Sequence, residues 1–244
     1  MTLNRIILLF ILIFSFHFAA FLQKTEISLE EFSKAILAVE NQIPRGESYQ
    51  FSTDYYLYED LNATTASIVS RSNLCYTANP SILNFEQFGK FILQTKDIQI
   101  TCDTAMKQLI LNKANPALIE RRGLEDFKAL LHSKCKAFIE NRANYKVYSI
   151  QFAEGARFKD AELWIQQDGM VKKYILRAGI DVLDDSENEE RLLRPKMEIR
   201  FSDYRTGSQV DHTGRRDKST YFVDLDKKIL HEDYAAYKII DLRY

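Results

Sequence analysis

YKVYSIQFAEGARFKDAELWIQQDGMVKKYILRAGI, residues 145–180, is the stretch whose reading decides the fold. Tyr148, Ile150 and Phe152 alternate with polar neighbours, as do Ala161, Leu163 and Ile165. That period of two is the signature of strands with one buried face. Asp168-Gly169 divides the second run from MVKKYILRAGI, and both residues tolerate positive φ, so a tight hairpin is expected there. Trp164 falls out of phase with Leu163 and Ile165 and belongs to the opposite face of its strand.

Downstream, DVLDDSENEERLLRP at 181–195 reads as an acidic connector. Met197, Ile199 and Phe201 resume alternation, a glycine-containing loop covers 205–218, and STYFVDLDKKILHEDYAAYKII closes with a hairpin. Residues 196–244 are therefore expected to form a C-terminal β-hairpin region.

Upstream, Ser28-Leu29-Glu30-Glu31 has the form of a capping box. Leu29, Phe32, Ile36 and Val39 then share one helical face, which predicts a helix over 28–42, ended by Pro44 and Gly46. YQFSTDYYLY and TASIVS predict strands between 49 and 76, with a loop at Asp60-Leu61-Asn62. Asn84-Phe85-Glu86-Gln87 repeats the cap pattern, and Phe85, Phe88 and Ile92 predict a short amphipathic helix. DIQIT at 97–101 predicts a strand leading into Cys102. A helical pair is expected at 103–112 and 116–140, the second with Leu124, Phe127, Leu131, Cys135 and Phe138 on one face. Helices early and strands late give an α+β chain: N-terminal helices packed on a curved, mainly antiparallel sheet, with additional C-terminal strands.

The chain opens on IILLFILIFSFHFAAFL at 6–22, seventeen uncharged residues behind Arg5. This is the layout of a secretory signal peptide, with cleavage expected after Ala20, or of an uncleaved signal anchor. Under either reading residues 24–180 form the α+β domain and lie outside the cytosol, secreted or in the secretory-pathway lumen. A membrane is engaged only through an uncleaved 6–22. Without residues 1–20, 32 basic residues face 34 acidic ones, a net charge near −2. That offers no basic excess for nucleic acid.

Three cysteines, at 75, 102 and 135, are too few for a disulfide scaffold. With Cys135 placed on the apolar helix face, a Cys75–Cys102 bridge is expected, and a Cys135 bridge between two chains is the alternative. Asn62-Ala63-Thr64 is a glycosylation acceptor pattern.

A capped helix, then strands, then a long hairpin over 145–180 resembles the nuclear-transport-factor-2-like group across about residues 28–180. The resemblance implies a cone-shaped α+β domain whose curved sheet wraps a helix around a cavity. In some members that cavity is an active site and in many it is a binding surface. No catalytic set of that group matches this chain position by position.

The residues themselves assemble no familiar chemistry. There is no Gly-x-Ser-x-Gly elbow, no phosphate loop and no dinucleotide fingerprint among eight glycines. His132 and Cys135 stand three apart without further ligands, so no metal and no cofactor is expected. Asp181, Asp184, Asp185, Glu187, Glu189 and Glu190 lack the spacing of a calcium loop and read as a solvated linker. Arg215-Arg216 reads as an exposed dibasic pair, with a processing site or an anion contact as the alternatives. Trp164 either packs or lines a cavity. Asp54 and Tyr56, beside Tyr55, are the polar ligand-binding candidates. The reading is a non-enzymatic binding module for a protein partner or a small apolar ligand. The alternatives are a cone-fold isomerase or dehydratase using a carboxylate and a tyrosine, and a membrane-tethered interaction module.

Overall fold

In the computed structural model the described residues are 24–40, 46–115, 135–180, 182–184 and 191–243. Ser28 Oγ accepts a hydrogen bond from the Glu31 amide (3.0 Å) and starts helix α1, Leu29–Glu40. Its Phe32 and Ile36 are buried, Leu29 and Val39 half-buried, as the 3.6-residue period requires. Almost everything else is strand: β1 (Thr25–Ile27), β2 (Tyr49–Tyr58), β3 (Ile68–Thr77), β4 (Ile82–Gln87), β5 (Lys90–Gln94), β6 (Ile98–Asp103), β7 (Gln108–Lys113), β8 (Lys136–Arg142), β9 (Tyr145–Gln151), β10 (Phe158–Gln166), β11 (Val171–Ala178), β12 (Val182–Asp184), β13 (Arg191–Leu193), β14 (Lys196–Thr206), β15 (Phe222–Asp224), β16 (Ile229–Leu230) and β17 (Lys238–Asp241). A four-residue helix, α2 (Lys218–Tyr221), precedes β15.

The chain divides into two compact units, the first from the described parts of Met1–Gln42, Tyr58–Thr65 and Leu131–Glu198, the second from those of Ile43–Leu57, Ala66–Leu130 and Ile199–Tyr244. In the first, the strand order is β1-β8-β9-β10-β11, antiparallel where the register is resolved. Ala137, Ile150 and Ala161 lie in one register row, and Ile139, Tyr148 and Leu163 in the next. Tyr148 meets Phe32 edge-on (ring centroids 6.3 Å apart), so this is the face that α1 covers. The hairpin expected at Asp168-Gly169 joins β10 to β11, with Gly169 at φ +87 and its amide donating to the Gln166 carbonyl.

In the second unit the order is β14-β2-β3-β4-β5-β6-β7-β17. β2 to β7 form an antiparallel meander and β17 joins β7 in parallel, which makes the sheet mixed. One register row reads Gln50, Cys75, Asn84, Leu93, Ile100, Leu111, and its neighbour Ser52, Asn73, Glu86, Phe91, Cys102, Leu109. This face is polar over β2–β4 and apolar over β5–β7. Tyr221 and Phe222 close the apolar part into a core with Leu93, Ile100, Cys102, Leu109 and Leu111. The Asp217 side chain accepts from the Ser219 and Thr220 amides and caps α2, which carries Tyr221 into that core.

Several expectations are corrected. The chain is not helices packed on a sheet: the described residues are mainly a large mixed sheet with two short helices. The helix expected over 84–92 is the β4–β5 hairpin, where Phe85 pairs with Ile92 across a two-residue turn. Phe88 and Gly89 make that turn, at φ +52 and +70. Residues 103–112 are the β6–β7 turn and strand. Within the helix expected at 116–140, residues 136–140 belong to β8, and Leu124, Phe127 and Leu131 lie outside the described residues. In the 181–195 connector, β12 and β13 pair antiparallel, while Asp181, Asp185, Glu187, Glu189 and Glu190 lie outside the description. At the C-terminus β15 pairs with β16, but β17 goes to β7. The capped helix, the strands after it and the 158–178 hairpin that suggested the cone fold all form, but as parts of a large mixed sheet and not of a sheet wrapped around packed helices. The leader, 1–22, and His132 also lie outside the described residues.

Phe88 occupies left-handed backbone with 63% of its surface exposed, so it carries strain and gains little from burial. Phe88→Asn is expected to raise stability by about 1 kcal/mol, because asparagine suits this turn. Chemical denaturation giving an unchanged or lower midpoint would sink that expectation.

The Cys75–Cys102 bridge is also corrected. Neither thiol is in a disulfide, and nor is Cys135. Asn84 of β4 and Leu93 of β5 stand between the strands of the two cysteines. Three strand spacings separate their backbones by about 14 Å, and a disulfide spans no more than about 7 Å between Cα atoms. Burial pushes both thiols up, only partly offset by Arg215 at Cys75 and Arg216 at Cys102. In unfolded, unreduced protein, alkylation is therefore expected at both cysteines. In native protein the fully buried Cys102 should resist. A mass two hydrogens short, with both thiols blocked, would contradict this arrangement.

Candidate functional site

The first unit holds an open groove of about 670 Å³. The C-terminal half of α1 contributes Ala35, Ala38 and Val39, while β9 and the end of β10 contribute Tyr145, Tyr148 and Ile165. The space exists because α1 docks through Phe32 and Ile36 and then presents alanines, whose side chains are too short to fill the gap to the sheet. Arg142, Lys146, Gln166 and Gln167 supply the polar part of the lining. Gln167 Nε2 donates to the Ala143 carbonyl (3.0 Å) and ties the β8–β9 turn to the end of β10.

The described lining is mainly apolar, with cationic and amide side chains at its edge. Burial, with a contribution from the Glu31 charge, pushes the Tyr148 phenol up, so it stays protonated near neutrality. Among the described lining residues there is no Asp, Glu, His or Cys. Among the described residues no group of three His, Cys, Asp or Glu is arranged to hold a metal.

The residues singled out from the sequence stand elsewhere. Trp164 lies on the sheet face opposite Leu163 and Ile165. Its Nε1–H donates to Glu162 Oε2 (2.9 Å), and Arg142 and Lys173 approach the ring to 4.3 and 4.0 Å from its centroid. Arg177 joins the cluster by donating to Asp160 and Glu162. Burial alone would raise the Glu162 carboxyl, but donation by Trp164 and Arg177 holds it below the usual range. Tyr145, on the same sheet face as Trp164 and also bordering the groove, meets the Trp164 ring edge-on at 5.9 Å.

In the second unit, Asp54 pairs with Arg71 across β2–β3, the ions 3.9 Å apart, and Arg71 also donates to Asp203 (3.0 Å). Two residues on, the Tyr56 ring lies under Arg200, 4.4 Å from its centroid. Asp54 and Tyr56 thus share a face of β2, and none of the three candidates lines the groove. Asn62 is exposed in the loop after β2, its amide donating to Asp60 Oδ1. The groove residues themselves escaped the sequence reading. The available signal was Ala35 and Ala38, small residues three apart beside the apolar face of a capped helix.

No family model and no curated protein matches the chain. Among solved structures it is similar to an uncharacterized conserved protein from Thermus thermophilus, with 9% identity over 86% of this chain and 99% of that one, TM-score 0.42. It is similar to a LolA superfamily protein from Nitrosomonas europaea, with 11% identity over 83% of this chain and 98% of that one, TM-score 0.30. A chain of the Pseudomonas aeruginosa MucA/MucB complex matches at 12% identity over 77% of this chain and 61% of its own length, TM-score 0.42. These structures are an uncharacterized protein, a LolA superfamily protein and a MucA/MucB chain, not members of the transport-factor-like group, which corrects that resemblance. At such TM-scores they carry no assignment of function. No helix among the described residues is long and apolar enough to cross a membrane.

Proposed function

We propose that the first unit is a non-enzymatic binding module that takes a small apolar molecule or a single alkyl chain. The observation behind this is the groove of about 670 Å³, walled by Ala35, Ala38, Val39, Tyr148 and Ile165. Concave, mostly apolar sites with a few polar groups at one side are the usual form of small-molecule sites. The ligand's apolar body would lie along α1. Lys146, exposed and without an ion pair among the described residues, would meet its polar end. Export to the secretory pathway remains part of the proposal and rests on the apolar leader at 6–22 alone.

The test uses 1-anilinonaphthalene-8-sulfonate as a probe, read through its own emission and through Trp164, the one tryptophan of the chain. Tyr145 links groove and indole, so occupation of the groove is expected to change the Trp164 emission. Ala38→Trp fills the groove from an exposed helix position and is expected to weaken probe binding about tenfold or more, a loss of ~1.4 kcal/mol. Its melting temperature should stay near that of the parent. The added indole obscures Trp164, so that variant is followed by probe emission only. Equal binding by parent and variant would refute the groove as the site.

A further inference from the structure

The dibasic pair Arg215-Arg216 lies in the loop that crosses the polar half of the second unit's inner sheet face. Two side chains of one register row hold that loop by its backbone. Gln50 Oε1 accepts from the Asp211 amide (3.1 Å), and Asn84 Oδ1 accepts from the Arg216 amide (3.0 Å). Between loop and sheet is a cavity of about 190 Å³, lined by Asn84, Arg215 and Arg216 together with Cys75 and Asn73. At ~30 Å³ per water, it has room for several waters or one small oxyanion.

Three features of this cavity match an anion. The first is Asn84. Since its oxygen accepts from a backbone N–H, which has no other role, its amide orientation is set by the hydrogen bond. Its Nδ2 group, with two donors, is buried and has no partner. A buried donor left unpaired is costly and calls for an acceptor. The second is Arg216. Its guanidinium stacks on Phe91, 3.3 Å from the ring centroid, and Nη1 donates weakly to the Tyr221 hydroxyl (3.3 Å). The third is Arg215, half-buried in the same lining, whose charge is felt by the Cys75 thiol and by Asp217.

Neither arginine has an ion pair among the described residues. Nearby carboxylates are committed elsewhere. Asp211 accepts from the amide and hydroxyl of Thr213, and Asp217 caps α2. Glu86 also lines the cavity and is exposed at its edge. Two half-buried guanidinium groups and an orphan amide converging on one small space form a donor set without its acceptor.

We propose that this cavity is a binding site for a small oxyanion, a phosphate or carboxylate group, held by Arg215, Arg216 and the Nδ2 of Asn84. It is independent of the groove in the first unit, and the two can fail separately.

The experiment is calorimetric titration of the full chain with inorganic phosphate, and in parallel with acetate, at low ionic strength, where charge interactions are least screened. Asn84→Asp keeps the oxygen that anchors the Arg216 amide and replaces the donor with a negative charge. It is expected to weaken binding about tenfold or more. Arg215→Gln removes a guanidinium that holds nothing else in place and is expected to weaken binding severalfold with an unchanged melting profile. Phosphate binding lost in both variants supports the site, and acetate tells whether one carboxylate suffices. Absence of binding in the parent chain overturns the proposal. Binding of equal strength in parent and variants means an adventitious ion only, and overturns it as well. Were Asn84→Asp to fold poorly, Arg215→Gln alone decides.

Discussion

Gly179→Ala is expected to destabilise the first unit by about 3 kcal/mol or more, the upper range for forcing atoms into a filled space. A Cβ at this position would stand 2.3 Å from the Ala156 carbonyl oxygen, 2.8 Å from Phe158 C and 2.9 Å from Lys159 N. All three are backbone atoms, so no side chain can swing aside. The Gly179 amide also donates to the Arg157 carbonyl (2.9 Å), which holds the end of β11 against the entry to β10. Relief would have to separate that hairpin's open end, and with it the register that places Ile165 in the groove wall. For a chain of this size the loss corresponds to a melting temperature lower by roughly 10 °C. Gly155→Ala is the control. Gly155 has φ +76 with nothing within 4 Å, so alanine there meets backbone strain of about 1 kcal/mol and no collision. A Gly179→Ala protein that melts with the parent would mean the two segments do not approach so closely.

Phe32→Ala carries the second large effect, an expected loss of about 3–5 kcal/mol for deleting a buried aromatic ring. Phe32 is 1% exposed and meets Tyr148 at an interplanar angle of 76°. With Ile36 it joins α1 to the sheet, and a 12-residue helix has little stability apart from such packing. Removing the ring therefore costs stability and also frees Tyr148, a wall of the groove. Urea denaturation is expected to show the lower midpoint, and the naphthalene-sulfonate probe weaker binding in the protein that remains folded. Leu37→Ala, on the exposed side of the same helix, should shift stability by less than about 0.5 kcal/mol. Similar losses in the two variants would show that α1 does not dock through Phe32.

The candidate site was less legible than the elements that frame it. Ala35 and Ala38 reveal a groove only when the distance from helix to sheet is known, because an alanine facing a close neighbour simply packs. Trp164 drew attention by its size, yet Arg142, Lys173 and Glu162 already engage the indole. Those partners come from β8, β11 and Trp164's own strand, and only pairing brings them together. The orphan amide of Asn84 was equally hidden: its sequence context reads as a helix cap, whereas the residue stands in β4 and meets the loop above it only in the folded chain.

What the sequence determined by itself was local. Ser28 as a cap, the Leu29–Phe32–Ile36–Val39 stripe and the Asp168-Gly169 turn each draw on neighbours within a few residues, and each element formed where its pattern stood. Tertiary structure decided the rest. Phe85, Phe88 and Ile92 satisfy a helical spacing and a hairpin alike, and pairing of β4 with β3 and of β5 with β6 selected the hairpin. The run Leu109–Ile110–Leu111 is apolar without alternation because Leu109 and Leu111 enter the core while Ile110 is half-buried on the other face. β17 lies parallel to β7 across more than a hundred intervening residues, and no local pattern encodes that partner. The physical reason is common to all three. Turn and cap preferences are satisfied within one stretch of chain, whereas a strand acquires its hydrogen bonds and its buried face only from the strands beside it.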